Sequence, residues 1–268
     1  MQLDLTLAGL VGGFVVGLTG MGGGALMTPM LVLLFHIDPL AAVSSDLVVS
    51  LVMKPVGASV HMRRGTVRKE LLRWLMLGSV PAAFCGVLVL RALGDDAGNR
   101  LKLWLGIALL VAAACIVVKA RLQQRSRAEQ RVLVAAGGPL EAPAPPALNV
   151  RPLPTLAIGA VGGLVVGMTS VGSGSLIIVA LMLLYPRLTS AELVGTDLVQ
   201  AIPLVGSAAL GHLLFGEFQL DVTAALLLGG IPGIWLGAHV SSQAPDRIVK
   251  PVLFLVLMAT GLKLIGAI

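Results

Sequence analysis

Charge is what this chain has least of. Of its 268 residues, 12% are Asp, Glu, Lys or Arg and 57% are hydrophobic, whereas soluble domains carry about 25% charged residues. The mean hydropathy is +0.97. A core of this size cannot hide so much apolar surface from water, so lipid must be the solvent for much of it. Cysteine is nearly absent. Cys85 and Cys115 both fall inside apolar stretches, which fits small buried hydrophobes and excludes a disulfide framework or a cysteine-built metal site. No basic segment precedes the first apolar stretch, so a cleaved signal peptide is not expected. There is no HExxH, no Gly-x-Ser-x-Gly and no pair of metal ligands at helical spacing, which argues against an intramembrane enzyme and against a cofactor. The net charge of +6 sits largely in two short clusters between apolar spans. There it reads as a topology signal rather than as a nucleic-acid surface.

What is present is a doubled motif. Residues 9–26 read GLVGGFVVGLTGMGGGAL and residues 159–176 read GAVGGLVVGMTSVGSGSL. After a one-residue slip, Asp46-Leu47-Val48 matches Asp197-Leu198-Val199. His61 matches His212, Gly65 matches Gly216, and Gly78, Pro81 and Gly86 match Gly229, Pro232 and Gly237. The chain is two copies of one unit, 1–120 and 154–268, joined by residues 121–153. That linker is basic at its start, and from residue 132 it is too rich in proline for a helix. In an apolar chain, internal duplication points to a transporter.

Each half contains five apolar segments: about 3–19, 24–36, 40–60, 71–92 and 101–119, then 154–169, 174–185, 190–214, 220–241 and 248–266. A full crossing needs about 20 residues, so the last three of each half are long enough and the first two are not. Loops decide between a broken crossing and a hairpin. Residues 61–73 are rich in Lys and Arg against the single acid Glu70, and 119–131 are basic too, so both belong in the cytoplasm. Residues 215–221 carry two acids and no base, and 241–250 carry Arg247 and Lys250, so they belong outside and inside respectively. Corresponding loops thus fall on opposite sides. The expected fold is an all-α polytopic membrane protein of two inverted repeats, each a Gly-rich re-entrant or broken hairpin plus about three transmembrane helices. Two parallel repeats with broken single crossings remain the alternative.

Candidate chemistry lies at the Gly-rich junctions, Thr19, Gly22, Gly23 and Gly24 in the first half and Thr169, Ser170, Gly172, Ser173, Gly174 and Ser175 in the second. Non-helical backbone in a membrane is tolerated against protein or a water-filled cavity. A helix starting there aims free N–H groups and its positive end inward, which suits an anion without any fixed positive side chain. Gly9, Gly13 and Gly17, with Gly159, Gly163 and Gly167, are spaced by four and fit close helix packing instead. No Lys-Ser or Lys-Thr follows the glycines and no strand precedes them, so they are not a phosphate loop.

Ser44-Ser45-Asp46 and Gly195-Thr196-Asp197 form a second constellation. An acid in an apolar crossing is costly and suggests function, while at a helix start it serves as a cap. Lys54 lies eight residues after Asp46, about 12 Å of helical rise, so the two do not pair on a straight helix. The residue aligned with Lys54 is Val205, and that asymmetry makes Lys54 the most informative single charge. Gln200 follows Asp197 by one turn. Asp46, Asp197, His61 and His212 are the candidates for proton coupling, although the histidines also fit structural positions at helix ends. Pro81 and Pro232 are expected to kink their helices.

The motif Gly20-Met21-Gly22-Gly23-Gly24 followed by Pro29, Ser45-Asp46-Leu47, Thr196-Asp197-Leu198, Lys54 and His61-Met62-Arg63-Arg64-Gly65-Thr66-Val67 resembles the sulfite exporter TauE/SafE family of membrane permeases. The resemblance spans nearly the whole chain outside the linker. It implies a multi-pass bacterial inner-membrane protein that moves small anions such as sulfite, thiosulfate, sulfoacetate or other organosulfur and carboxylate anions. Its signature regions fall on Gly22–Gly24, Ser44–Asp46, Gly172–Ser175 and Thr196–Asp197. The chain departs from the pattern where Ser173 replaces the middle glycine and Val179 stands opposite Pro29. The partners expected are a small anionic substrate and the lipid bilayer, with a homodimer left open and no nucleic acid. A secondary transporter working by alternating access is the leading reading, and an anion channel with the same dipole-lined pore is the alternative.

Overall fold

The computed structural model describes residues 2–19, 24–94, 97–135, 149–215, 218–241 and 246–266. They form ten helices: α1 (Gln2–Thr19), α2 (Met27–Leu34), α3 (Pro39–Arg63), α4 (Lys69–Ala92), α5 (Ala97–Ala135), α6 (Pro152–Thr169), α7 (Leu176–Leu184), α8 (Ser190–Phe215), α9 (Leu220–Ser241) and α10 (Asp246–Leu264). Each expected apolar segment became one helix. The linker differs from expectation. The basic cluster after residue 119 continues α5 as far as Ala135, since Lys, Arg and Gln are strong helix formers. At the other end Pro152 sits in the first turn of α6, where its missing N–H costs nothing. Pro81 and Pro232 lie within α4 and α9 and are exposed.

Among the described residues, five helices are long and apolar enough to cross a membrane: α4, α5, α6, α8 and α9. This is a multi-pass membrane protein. One detail departs from the sequence expectation. α6 meets the length and composition of a crossing, although it was expected in a hairpin. α3 carries Ser44, Ser45, Asp46, Ser50 and Lys54, all buried inside the protein. α10 opens on Asp246, Arg247 and Lys250. The apolar residues that protein does not cover lie outward in stripes. Leu3, Leu7 and Val11 are spaced by four on α1, and Leu228 and Trp235 protrude from α9.

The two halves exchange arms. α1 packs on α9 of the other half, and its counterpart α6 packs on α4, the counterpart of α9. α4 also meets α8, as α9 meets α3. Two cores result. One joins Leu5, Met27 and Leu31 to Leu226, Leu253 and Leu257. The other joins Leu71 and Leu75 to Val166, Ile177 and Leu204.

Glycine permits this exchange. A Cβ on Gly9 would stand 2.5 Å from the carbonyl oxygen of Leu226, and one on Gly159 would stand 2.5 Å from that of Leu75. Backbones meet there with no side chain between them, as the four-residue glycine spacing requires. The contacts also give direction. Gly9 meets Leu226 and Gly13 meets Gly230, so α1 and α9 run parallel. Gly159, Gly163 and Gly167 meet Leu75, Ser79 and Ala83, so α6 and α4 run parallel too. α3 and α8 run antiparallel, because Gly195 meets His61 whereas Gly206 meets Leu51. α5 and α10 are antiparallel by the same test: Gly106 approaches Leu264 and Ile265, and Gly261 approaches Leu110.

Candidate functional site

The antiparallel pair α3 and α8 carries the buried charges, and the connection between α6 and α7 lies against them. That connection leaves helical geometry at Ser170, with φ 60°, and turns again at Gly172, φ 126°, and Gly174, φ 90°. Glycine serves at the last two because a Cβ strains those backbone angles. Ser170 holds the left-handed conformation while its hydroxyl donates to Asp46 Oδ2 at 2.6 Å. From the other side Thr28 of α2 donates to the same oxygen at 2.9 Å. The two junctions touch directly: a Cβ on Gly24 would collide with the backbone carbonyl of Ser170.

Lys54 is the centre of the arrangement. It is 7% exposed, and Asp46 and Asp197 are 0% and 1% exposed, so none of the three is open to water. Its ammonium donates to Ser173 Oγ at 2.5 Å. It lies within electrostatic reach of Asp197 and, more weakly, of Asp46. Asp197 accepts a hydrogen bond from the backbone N–H of Gly174, and a second cation, Lys119 of α5, acts on it. A lysine, itself one of the candidates from the sequence, thus stands at the second junction. The N–H groups expected to be free are committed, because those of Ser175, Leu176 and Ile177 approach the carbonyl of Gly172 at 3.4, 3.0 and 3.4 Å.

Gln200 is buried, with its carbonyl accepting from Ser79 at 3.2 Å. Among the described residues its amide nitrogen has no partner, and neither do Ser45 Oγ, Asp46 Oδ1, Asp197 Oδ1 and His212 Nδ1. Such orphaned buried atoms are uncommon, and strain, a bound water or ion, or a functional role accounts for them. Ser175 is buried and caps α7 without a side-chain bond.

Other candidates lie in the frame. Ser44 donates to the carbonyl of Leu40 at 2.7 Å, and Thr169 donates to that of Val165 at 2.7 Å. Thr196 accepts from the N–H of Arg68 at 3.0 Å. His61 bonds Thr66 at 2.9 Å, and with Gly195 beside it the α3–α4 turn is held to the start of α8. An ion pair between Arg68 and Glu192 closes the same end. His212 Nε2 meets the carbonyl of Gly167 at 2.9 Å, bracing the end of α6. Gly22, Gly23 and the side chain of Thr19 lie outside the described residues.

Sequence reasoning missed Thr28 and Lys119. Thr28 has Ile178 as its counterpart, so the repeat does not mark it. Lys119 opens a basic cluster that reads as a cytoplasmic signal. Charge in a half-buried stretch of an apolar helix is the signal that would have found it.

Comparison with known proteins adds an independent line. The family described as sulfite exporter TauE/SafE matches residues 5–264. The probable membrane transporter protein YjnA of Bacillus subtilis (strain 168) is 36% identical over 268 residues, covering 99% of this chain and 100% of that protein. The probable membrane transporter proteins YunE and YdhB of the same organism are each 24% identical, over 97% and 94% of this chain and 96% of each of theirs. No solved structure matches.

Proposed function

This chain belongs to the sulfite exporter TauE/SafE family, and we propose that it is a secondary transporter that exports small anions across a bacterial inner membrane by alternating access. Its substrates on this reading are sulfite, thiosulfate, sulfoacetate or related organosulfur and carboxylate anions. The observation that carries the reading is Lys54. It is a buried cation, lies at the meeting of the two halves, and is held by Ser173 at the tip of one Gly-rich junction. A lysine in a membrane interior marks a substrate or ion path. With two of its three donors uncommitted to Ser173, it can take an anion's oxygens.

Helix direction supports an inverted repeat. Counterpart helices related by an axis normal to the membrane run the same way, whereas those related by an axis in its plane run oppositely. α3 and α8 run oppositely, as do α5 and α10. Direction also favours hairpins. α1 runs with α9, which reverses after α8, which opposes α3, so α1 and α3 point the same way. α2 must then return the chain to its side of entry. The basic α3–α4 loop favours an entry from outside for the first hairpin and from inside for the second. Burial of Asp46, Lys54 and Asp197 favours a carrier over an open pore.

The test is flux in proteoliposomes. Saturating uptake of labelled sulfite or thiosulfate, lost in Lys54→Ala, is the expected result. Unitary currents would favour a channel, and wild-type flux in Lys54→Ala would remove Lys54 from the site.

A further inference from the structure

We propose that Asp46 is the proton-binding residue of the transport cycle and that Asp197 is the fixed counter-ion of Lys54, so that one proton crosses with each monovalent anion. This rests on the reading of Lys54 as the anion's ligand.

The argument begins with a count of charge. Four ionisable groups act on one another in this region: Asp46, Asp197, Lys54 and the half-buried Lys119. Counted among these four groups alone, two acids and two bases balance when the site is empty. A monovalent anion on Lys54 leaves one negative charge in excess, and an uncompensated charge away from water is expensive. One proton taken from solvent restores neutrality, whereas a fixed site cannot otherwise adjust.

The surroundings of the two acids choose which one receives it. Asp197 has two cations acting on it and a backbone N–H as donor. When Lys54 turns to a substrate, the charge of Lys119 still acts on Asp197. Asp46 has no such reserve. Its contacts from α2 and from the α6–α7 junction are the hydroxyls of Thr28 and Ser170, and Lys54 on its own helix is the one cation acting on it among the described residues. α8 brings Asp197 only as far as Lys54, and α5 and α9, which also pack on α3, add no further charge to it. Among the described residues Asp46 Oδ1 is buried and without a partner, which leaves it open to carry the proton.

Protonation there also reaches the moving parts. Thr28 lies on the return helix of the first hairpin and Ser170 at the tip of the second, and both donate to one oxygen. Bonds to a carboxylate are roughly twice as strong as bonds to a neutral acid. Proton uptake therefore loosens the tie between α3 and both hairpins at the moment the anion is bound. Release on the far side reforms it. The transported unit, one proton plus one anion, is electroneutral. Its direction follows the anion and pH gradients, so export requires accumulation of the anion inside.

The test uses the full-length protein and methanesulfonate, a monovalent sulfonate that stays ionised across the neutral range. Titration calorimetry in buffers of different ionisation enthalpy counts protons. The expected result is one proton taken up per anion, with apparent affinity falling about tenfold per unit of rising pH once Asp46 is ionised in the free protein. In Asp46→Asn, whose amide oxygen still accepts from Thr28 and Ser170, proton uptake and pH dependence disappear together. Asp197→Asn, whose empty site carries one excess positive charge, should likewise bind the anion without a proton, so variants that keep the charge identify the carrier. The infrared band of the protonated carboxyl that appears on anion binding should shift in Asp46→Glu and stay in place in Asp197→Glu. Persistence of uptake in Asp46→Asn, or a band that shifts in Asp197→Glu alone, overturns the assignment. Should a variant fail to fold, wild-type proteoliposomes decide: flux accelerated by a pH gradient and indifferent to a valinomycin-set potential is expected, and potential-driven flux overturns the stoichiometry. Wild-type protein that binds neither methanesulfonate, sulfite nor thiosulfate removes the carrier reading itself.

Discussion

Replacing Lys54 by Met keeps the length and apolar body of the side chain and removes its charge. The structure sets the size of the effect. The ammonium bonds Ser173 and compensates Asp197 and Asp46, which are 1% and 0% exposed. Removing one partner of a buried charged group costs about 3–5 kcal/mol. At about 2–4 °C per kcal/mol for a chain of this general size, Lys54→Met should lower the unfolding temperature in detergent by roughly 6–20 °C. Instability alone does not identify the partner, so the second arm is a cycle with Asp197→Asn. If Lys54 and Asp197 compensate each other, the double mutant is less destabilised than the sum of the singles by about 1–3 kcal/mol. Additivity within about 0.5 kcal/mol would refute the pairing. A third reading uses substrate. An anion at a hundred times its dissociation constant adds about 2.7 kcal/mol to the native state. That rise should appear in wild type and vanish in Lys54→Met.

Other consequences can be measured directly. Gly159→Ala drives a Cβ to 2.5 Å from the Leu75 carbonyl oxygen, backbone that cannot step aside, and should cost about 1–3 kcal/mol; unchanged thermal stability would argue against the close α4–α6 contact. Gly24→Ala collides with Ser170 and should reduce flux by parting the two junctions, a result checked in proteoliposomes against protein yield. Glu192→Gln breaks the pair with Arg68 where the side chains are 15% and 28% exposed, and should change stability by no more than about 1 kcal/mol; a larger loss in a melting curve would show that the clamp is structural. In a background without Cys85 and Cys115, Gln219→Cys should label from outside intact cells and Arg64→Cys only after permeabilisation. Labelling of both from one side would exclude the inverted arrangement.

Much of the fold was legible because helices and their apolar stretches are local. All ten segments became helices within a few residues of the expected bounds, except where α5 ran on into the linker. The glycine spacing foretold close packing but not its partner. Nothing in Gly9-x-x-x-Gly13 states that the facing backbone is Leu226 and Gly230 of the other half. The candidate site was legible by type and less so by role. Asp46, Asp197, Lys54, Ser170 and Ser173 come together, while Ser44, Thr169, Thr196 and His61 bond the frame. A hydroxyl beside an acid looks the same in sequence whether it faces a ligand or a carbonyl one turn back, because only the side-chain rotamer distinguishes them.

The sequence by itself determined the solvent, the number of helices, the duplication and the family. These depend on composition, on runs of apolar residues and on self-similarity, all of which can be read along one dimension. Only the tertiary structure decided which arms cross between the halves, that the counterpart helices α3 and α8 oppose each other, and that Lys54 meets a serine 119 residues away while Asp46 meets one 124 residues away. Such contacts arise when two copies of a unit fold around each other. Their partners are then set by the shape of the joint core and not by any spacing within either copy.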